Sequence, residues 1–178
     1  MSVRFFFLCL CVVVCAACTL NEAGTAVTDT PRLNTDTPTE GETGIVTRVV
    51  DGDTIEVEID DIIYDVRYIG INTPERSDPC FDEATNANAE FVQGRVVRLE
   101  RDTSDTDRFG RLLRYIYVDD TFVNEELVQM GVAEVVLYQP DDREFENFRS
   151  IEQAAARNEI GCHGTVGEDI FDDGTYTR

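Results

Sequence analysis

Lysine is missing from this chain altogether, and histidine occurs once, at position 163. Each absence removes a class of chemistry. Without lysine there is no amine for a Schiff base and no phosphate-loop lysine. With its one histidine in the C-terminal tail, the chain has no imidazole placed to act as a general base. Serines are few, and none stands in a nucleophile-elbow setting. One histidine and sparse cysteines cannot assemble a conventional zinc site. What remains is carboxylates, arginines and a hard metal ion held by oxygens.

Acid is abundant: 36 Asp and Glu stand against 15 arginines, a net charge of −21 at pH 7. So acidic a chain repels polyanions at long range, which argues against a broad grip on nucleic acid and leaves room for a local positive site. The arginines are uneven. Arg95, Arg98, Arg101, Arg108, Arg111 and Arg114 all fall within twenty residues.

A length of 178 residues suits one domain with a real core and some extra chain at its ends. Residues 1–17 read as a signal peptide: Arg4, an apolar run from Phe5 to Val14, then small residues before Cys18. The run is too short to span a bilayer comfortably. Cys18 is the candidate lipidation site of a lipoprotein, with ordinary cleavage and secretion as the alternative. Both readings expect an exported protein, on the cell surface or released. Residues 18–44 are rich in Thr, Asp and Pro, with Thr-Asp-Thr-Pro at 28–31 and again at 35–38. They read as a disordered tether spanning on the order of 25–30 Å. The folded domain is expected over 45–162, and an acidic flexible tail over 163–178. Three of the six cysteines lie in the leader, and Cys18 is the candidate anchor. That leaves Cys80 and Cys162, candidate disulfide partners in an oxidising compartment, the alternative being two separate thiols.

The pattern over 45–71 predicts a three-stranded meander. Residues 45–50 form its first strand, and Asp51-Gly52-Asp53 is a turn. Residues 54–59 alternate with Ile55, Val57 and Ile59 on one face, and residues 62–71 return as one strand. Helices are expected over 82–93, 123–130 and 141–158, and strands over 96–99 and 112–118. This is an α+β layout, and one candidate for it is a five-stranded OB-fold Greek-key β-barrel with three helices.

Position decides among the many carboxylates. Asp51 and Asp53 sit on a tight turn at a strand end, and Glu75 follows Pro74 at the end of another. The Asp51-Gly52-Asp53 turn is not an EF-hand loop, because Ile55 occupies a ligand position and the required Gly is lacking. An ordinary hairpin turn is the plain alternative. Arg67 lies in an otherwise apolar strand, sharing a face with Ile69 and Ile71. Such an arginine needs an acidic partner or a ligand. The choice is between a structural salt bridge and, with Arg111 at the mouth of the next strand, a bidentate grip on phosphate.

The motifs Val50-Asp51-Gly52-Asp53-Thr54, Arg67 through Glu75, Thr106 through Arg111, Tyr115-Ile116-Tyr117 and Val123 through Ala133 occur in one order over about residues 45–160. Together they resemble the staphylococcal nuclease (thermonuclease) family. The resemblance implies an OB-fold and a calcium-dependent phosphodiesterase acting on DNA and RNA as a monomer with one Ca2+ ion. It implies that Asp53, Asn72 and the Thr73 carbonyl are metal ligands and that Glu75 is the general base. Arg67 and Arg111 would clamp the phosphate, with Arg108 and Tyr138 as substrate contacts. Membrane association would come through acylated Cys18. The chain departs from the family's best-known member in having Asn72 in place of an aspartate, which removes one negative charge from the metal site. Its Arg76–Phe81 segment is short and carries Cys80, and Val136 replaces one nucleotide-facing aromatic. A different reading is a non-catalytic OB-fold binding module. The joint presence of Arg67, Glu75 and Arg111 favours the enzyme.

Overall fold

A computed structural model of the chain describes residues 41–164. The expected leader over 1–17, Cys18, the tether up to residue 40 and the tail from residue 165 lie outside the described residues.

The element order is β1 (Glu42–Val49), β2 (Thr54–Ile59), β3 (Ile62–Tyr68), β4 (Ile71–Asn72), α1 (Phe81–Val92), β5 (Val96–Glu100), β6 (Leu112–Val118), β7 (Thr121–Phe122), α2 (Val123–Gln129), β8 (Glu134–Val135) and α3 (Phe145–Arg157). Strand β1 pairs antiparallel with β2 and with β5, β2 with β3, and β5 with β6. A parallel pairing of β3 with β6 closes the ring. The result is a closed five-stranded barrel with three helices, an α+β architecture of the OB type.

Local chemistry explains each step. On β2, Ile55 and Val57 are buried, and Glu58 is turned to solvent. The β2–β3 hairpin closes through Asp60 and Asp61, both at positive φ, 50° and 63°. That is the geometry two-residue hairpin turns require, and Asp tolerates it. A bulge between Val46 and Arg48 bends β1. Inside, Val46, Val57, Val66, Leu99 and Ile116 meet Ala84 and Val92 of α1, Leu127 of α2 and Phe148 of α3.

Three boundaries differ from the sequence pattern. Residues 62–71 are not one strand. Strand β3 stops at Tyr68, Gly70 takes φ +78°, and a side chain there would press on the Phe148 ring at 3.1 Å. The chain turns, and β4 pairs with β8 in a separate two-stranded sheet. Arg67, Ile69 and Ile71 therefore do not share a strand face. The last helix begins at Phe145 rather than 141, because Asp141 is drawn inward: its Oδ1 accepts from the N–H groups of Thr103 and Ser104. Strand β1 begins at Glu42, inside the segment expected as tether, and the Glu42 carboxylate pairs with buried Arg114 at 3.0 Å.

Two buried asparagines fix the corner after β3. Asn88 of α1 accepts from the Tyr68 hydroxyl at 2.8 Å and donates to the Asp51 carbonyl at 2.9 Å. Asn124 of α2 accepts from the Ile116 N–H and donates to the Ile69 carbonyl. Each satisfies backbone or hydroxyl groups that burial would otherwise leave unpaired.

Cys80 and Cys162 form a disulfide across 82 residues of chain. It ties the start of α1 to the short turn Gly161–Gly164, whose Cys162 N–H donates to the Gly131 carbonyl. A loop of that length restricts the unfolded chain strongly, by about 4 kcal/mol in the chain-entropy treatment. We predict that reduction lowers the urea midpoint of the whole chain and that Cys80→Ser/Cys162→Ser reproduces the loss. Equal midpoints with and without reductant contradict this.

Candidate active site

The turn at 50–53, the corner at 67–75 and the loop at 104–111 border one cleft of about 640 Å³. Its lining includes Asp51, Asp53, Arg67, Asn72, Glu75, Arg108, Arg111 and Tyr138. The turn reaches the corner because Gly52 lies against Thr73, where a Cβ would stand 2.7 Å from the Thr73 hydroxyl.

Arg67, buried at the end of β3, organises the corner. Its Nη1 donates to the Tyr68 and Ile71 carbonyls, both at 2.8 Å. Its Nη2 lies 3.1 Å from Asp53 Oδ2 and donates to Asn72 Oδ1, also at 3.1 Å. Asp53 Oδ2 also accepts from the Thr73 N–H at 2.8 Å and from the Thr73 hydroxyl at 3.1 Å. One guanidinium thus rests on both side-chain oxygens that the family resemblance implies as metal ligands. The salt-bridge alternative for Arg67 is present in the structure, and it lies inside the cleft. Thr73 is buried, and the contacts above run through its N–H and hydroxyl.

Asp51 stands beside this group and has a part that the sequence reading did not assign. Its Oδ1 accepts from the Asp53 N–H. Burial, and after it repulsion from Asp53, push its carboxyl up to about 6, against the Asp53 N–H, the Thr54 hydroxyl and Arg67. Glu134 was missed as well. It is buried, and its Oε1 accepts from Asn72 Nδ2 at 2.7 Å. An acid within the apolar run Gly131 to Leu137 was the available signal.

On the opposite side the loop before β6 carries the second arginine. Asp107 shapes that loop by accepting from the Phe109 and Arg111 N–H groups, and its Oδ2 holds Arg111 Nε at 2.7 Å. Partial burial pushes the Asp107 carboxyl up, but these hydrogen bonds outweigh it and hold the group below its ordinary value. Arg111 spends one of its five N–H donors on Asp107 Oδ2. Arg108 stacks over exposed Phe109 at the rim. Tyr138 is half exposed on the rim, whereas Val136 is buried with its N–H on the Gly70 carbonyl. Glu75 is exposed at the lip, in a turn where Asp78 Oδ2 accepts its N–H. The rest of the arginine cluster does not line the cleft: Arg95 pairs with Asp119, Arg98 with Glu100 and Arg101 with Asp105 near the surface, and buried Arg114 pairs with Glu42 and Asp105.

Among the described residues no three His, Cys, Asp or Glu side chains form a ready-made metal cluster. The donors implied for Asp53, Asn72 and Thr73 nevertheless fit a hard cation, since all are oxygens. The Asp51–Asp53 repulsion is a local excess of negative charge that a divalent ion relieves.

A family model described as staphylococcal nuclease homologue matches residues 65–162. That span takes in Arg67, Asn72, Glu75 and Arg111 and begins after Asp53. The SPbeta prophage-derived endonuclease YokF of Bacillus subtilis (strain 168) is 37% identical over 128 residues, covering 67% of this chain and 43% of that protein. Endonuclease YncB of the same strain is 36% identical over 128 residues, covering 67% of this chain and 61% of that protein. A thermonuclease of Staphylococcus intermedius is 35% identical over 121 residues, covering 65% of this chain and 72% of that protein. The chain therefore spans less than two thirds of the length of either Bacillus relative.

The raised Asp51 carboxyl carries a pH signature. A group whose folded value exceeds its unfolded one favours the fold when protonated. Its stabilisation is full below about 3.8 and is lost as pH rises through about 6. In metal-free protein, Asp51→Asn is expected to raise the melting midpoint at pH 8 by roughly 2–4 °C. The gain should shrink toward zero at pH 4. A gain of the same size at both pH values contradicts the assignment.

Proposed function

The chain belongs to the staphylococcal nuclease family, and from that premise we propose that it is a calcium-dependent nuclease hydrolysing phosphodiester bonds of DNA or RNA. One observation carries the reading. Arg67 lies on the Asp53 and Asn72 oxygens, in the same cleft that Glu75 and Arg111 line. A binding-only barrel has no use for an exposed carboxyl in one cleft with two arginines and a set of hard oxygen donors.

The reaction follows from what each side chain can do. Asp53, the Asn72 amide oxygen and the Thr73 carbonyl would hold one calcium ion. When bound, that ion supplies positive charge to the phosphate oxygens. Arg67 and Arg111 donate N–H groups to the non-bridging oxygens, and their planar forks match that geometry. Arg67 is held through Nη1 by two backbone carbonyls and Arg111 through Nε by Asp107, and Arg67 Nη2 would exchange Asp53 and Asn72 for phosphate oxygens. Glu75 takes the proton from the attacking water as its oxygen bonds to phosphorus and the P–O ester bond breaks, and the departing alkoxide takes a proton from solvent at the open lip. Arg108, Phe109 and Tyr138 meet the sugar and base at the rim.

Export is part of this reading. A disulfide suits an oxidising compartment, and an acylated Cys18 would hold the enzyme at a membrane surface. The acidic exterior then confines the grip on a polyanion to the arginines of the cleft.

The direct test is cleavage of single-stranded DNA by the whole chain with calcium and with chelator. Cleavage is expected with calcium only. Glu75→Gln is expected to lower it by about 10²-fold or more with the fold intact by circular dichroism. Undiminished cleavage by the Glu75→Gln protein would remove Glu75 from the mechanism.

A further inference from the structure

The Asn72 amide lies between two groups of opposite character. On one side is the Arg67 guanidinium, which can only donate; it reaches Asn72 Oδ1 at 3.1 Å. On the other is the Glu134 carboxylate, which accepts from Asn72 Nδ2 at 2.7 Å. These neighbours allow one orientation of the amide, with nitrogen toward Glu134 and oxygen toward Arg67 and Asp53. The backbone enforces the contact. Asn72 and Glu134 are register partners in the β4–β8 ladder, and the next residues continue it with Val136 N–H on the Gly70 carbonyl.

Resting on the nuclease reading above, we infer that Glu134 is the positioning residue for the Asn72 ligand and supplies the negative charge that an amide at that place lacks. A carboxylate behind the amide nitrogen and a cation before the oxygen polarise the amide in the same sense. Both put more negative charge on Oδ1, the atom a hard cation would use. Glu134 is buried, so its charge acts through little water. Outer partners of this kind orient and tune a metal ligand, and their loss typically weakens metal binding by about 10–100-fold.

The inference sets an order that depends on where the charge sits. The Asn72/Glu134 pair carries one negative charge. Glu134→Gln keeps an acceptor for Asn72 Nδ2 and removes the charge. Asn72→Asp/Glu134→Gln moves the charge from position 134 to position 72. Asn72→Asp alone places two carboxylates where one hydrogen bond now lies, and repulsion opposes both.

The experiment is calorimetric titration of calcium into the metal-free whole chain and these variants. Glu134→Gln is expected to bind calcium about 10–100-fold more weakly than the wild type. The double variant is expected to return to within a few-fold of the wild type. Asn72→Asp alone is expected to melt lower than the wild type without calcium. Glu134→Gln affinity within twofold of the wild type overturns this inference and leaves the nuclease reading standing. So does a double variant as weak as the single one. A wild type that takes up no calcium overturns both.

Discussion

The corner depends on a single buried guanidinium. Arg67 reaches the carbonyls of Tyr68 and Ile71, the Asn72 amide and the Asp53 carboxylate. It thereby joins the end of β3, the start of β4 and the turn before β2. The backbone there is irregular because Gly70 breaks the strand. Arg67 Nη1 donates to two of its carbonyls, those of Tyr68 and Ile71. Removing one partner from a pair this buried typically costs about 3–5 kcal/mol, since the other charge is left uncompensated. The same guanidinium covers the oxygens a cation would use. Structure and chemistry therefore compete for one group, and arriving ligands would exchange these contacts rather than fill an idle site.

Around that centre the fold provides rigidity without lysine and with little positive charge to spare. Asn88 and Asn124 lock α1 and α2 onto the turn and the corner. Asp141 anchors the loop leading to Arg111 through two backbone N–H groups. Arg95, Arg98, Arg101 and Arg114 pair with carboxylates outside the cleft, and Arg108 and Arg111 line it together with Arg67. The cleft sets Arg67, Arg108 and Arg111 among Asp51, Asp53, Glu75, Asp107 and Asp141, so a polymer would be held at one point, through those arginines. Long-range repulsion from the rest of the surface fades as salt shortens the screening length to about 8–10 Å.

How far the sequence discloses this differs from residue to residue. Arg67, Asn72, Thr73 and Glu75 lie within nine positions on one strand-to-turn passage, so local pattern places them together. The α+β layout was legible because β2 alternates cleanly and the helices carry inward residues at helical spacing, while the barrel itself was one candidate until the family resemblance singled it out. Glu134 was not legible. It reaches Asn72 across 62 residues, through a ladder whose strands are only two residues long and carry no periodicity. The break at Gly70 had a local cue, a glycine in an apolar run. Its cause, the Phe148 ring from α3, is a distant contact. Asp141 read as a helix start because paired acids favour one, and its burial beneath the 103–104 loop is again tertiary.

The account's central claim is that cation and phosphate share the one corner that Arg67 now bridges. Calcium affinity measured with and without a bound mononucleoside phosphate tests it most directly. A phosphate that draws the guanidinium from Asp53 and Asn72, and a cation that takes the vacated oxygens, must raise each other's affinity by the same factor. The account predicts reciprocal coupling of roughly fivefold or more. Affinities that are independent of one another would contradict it.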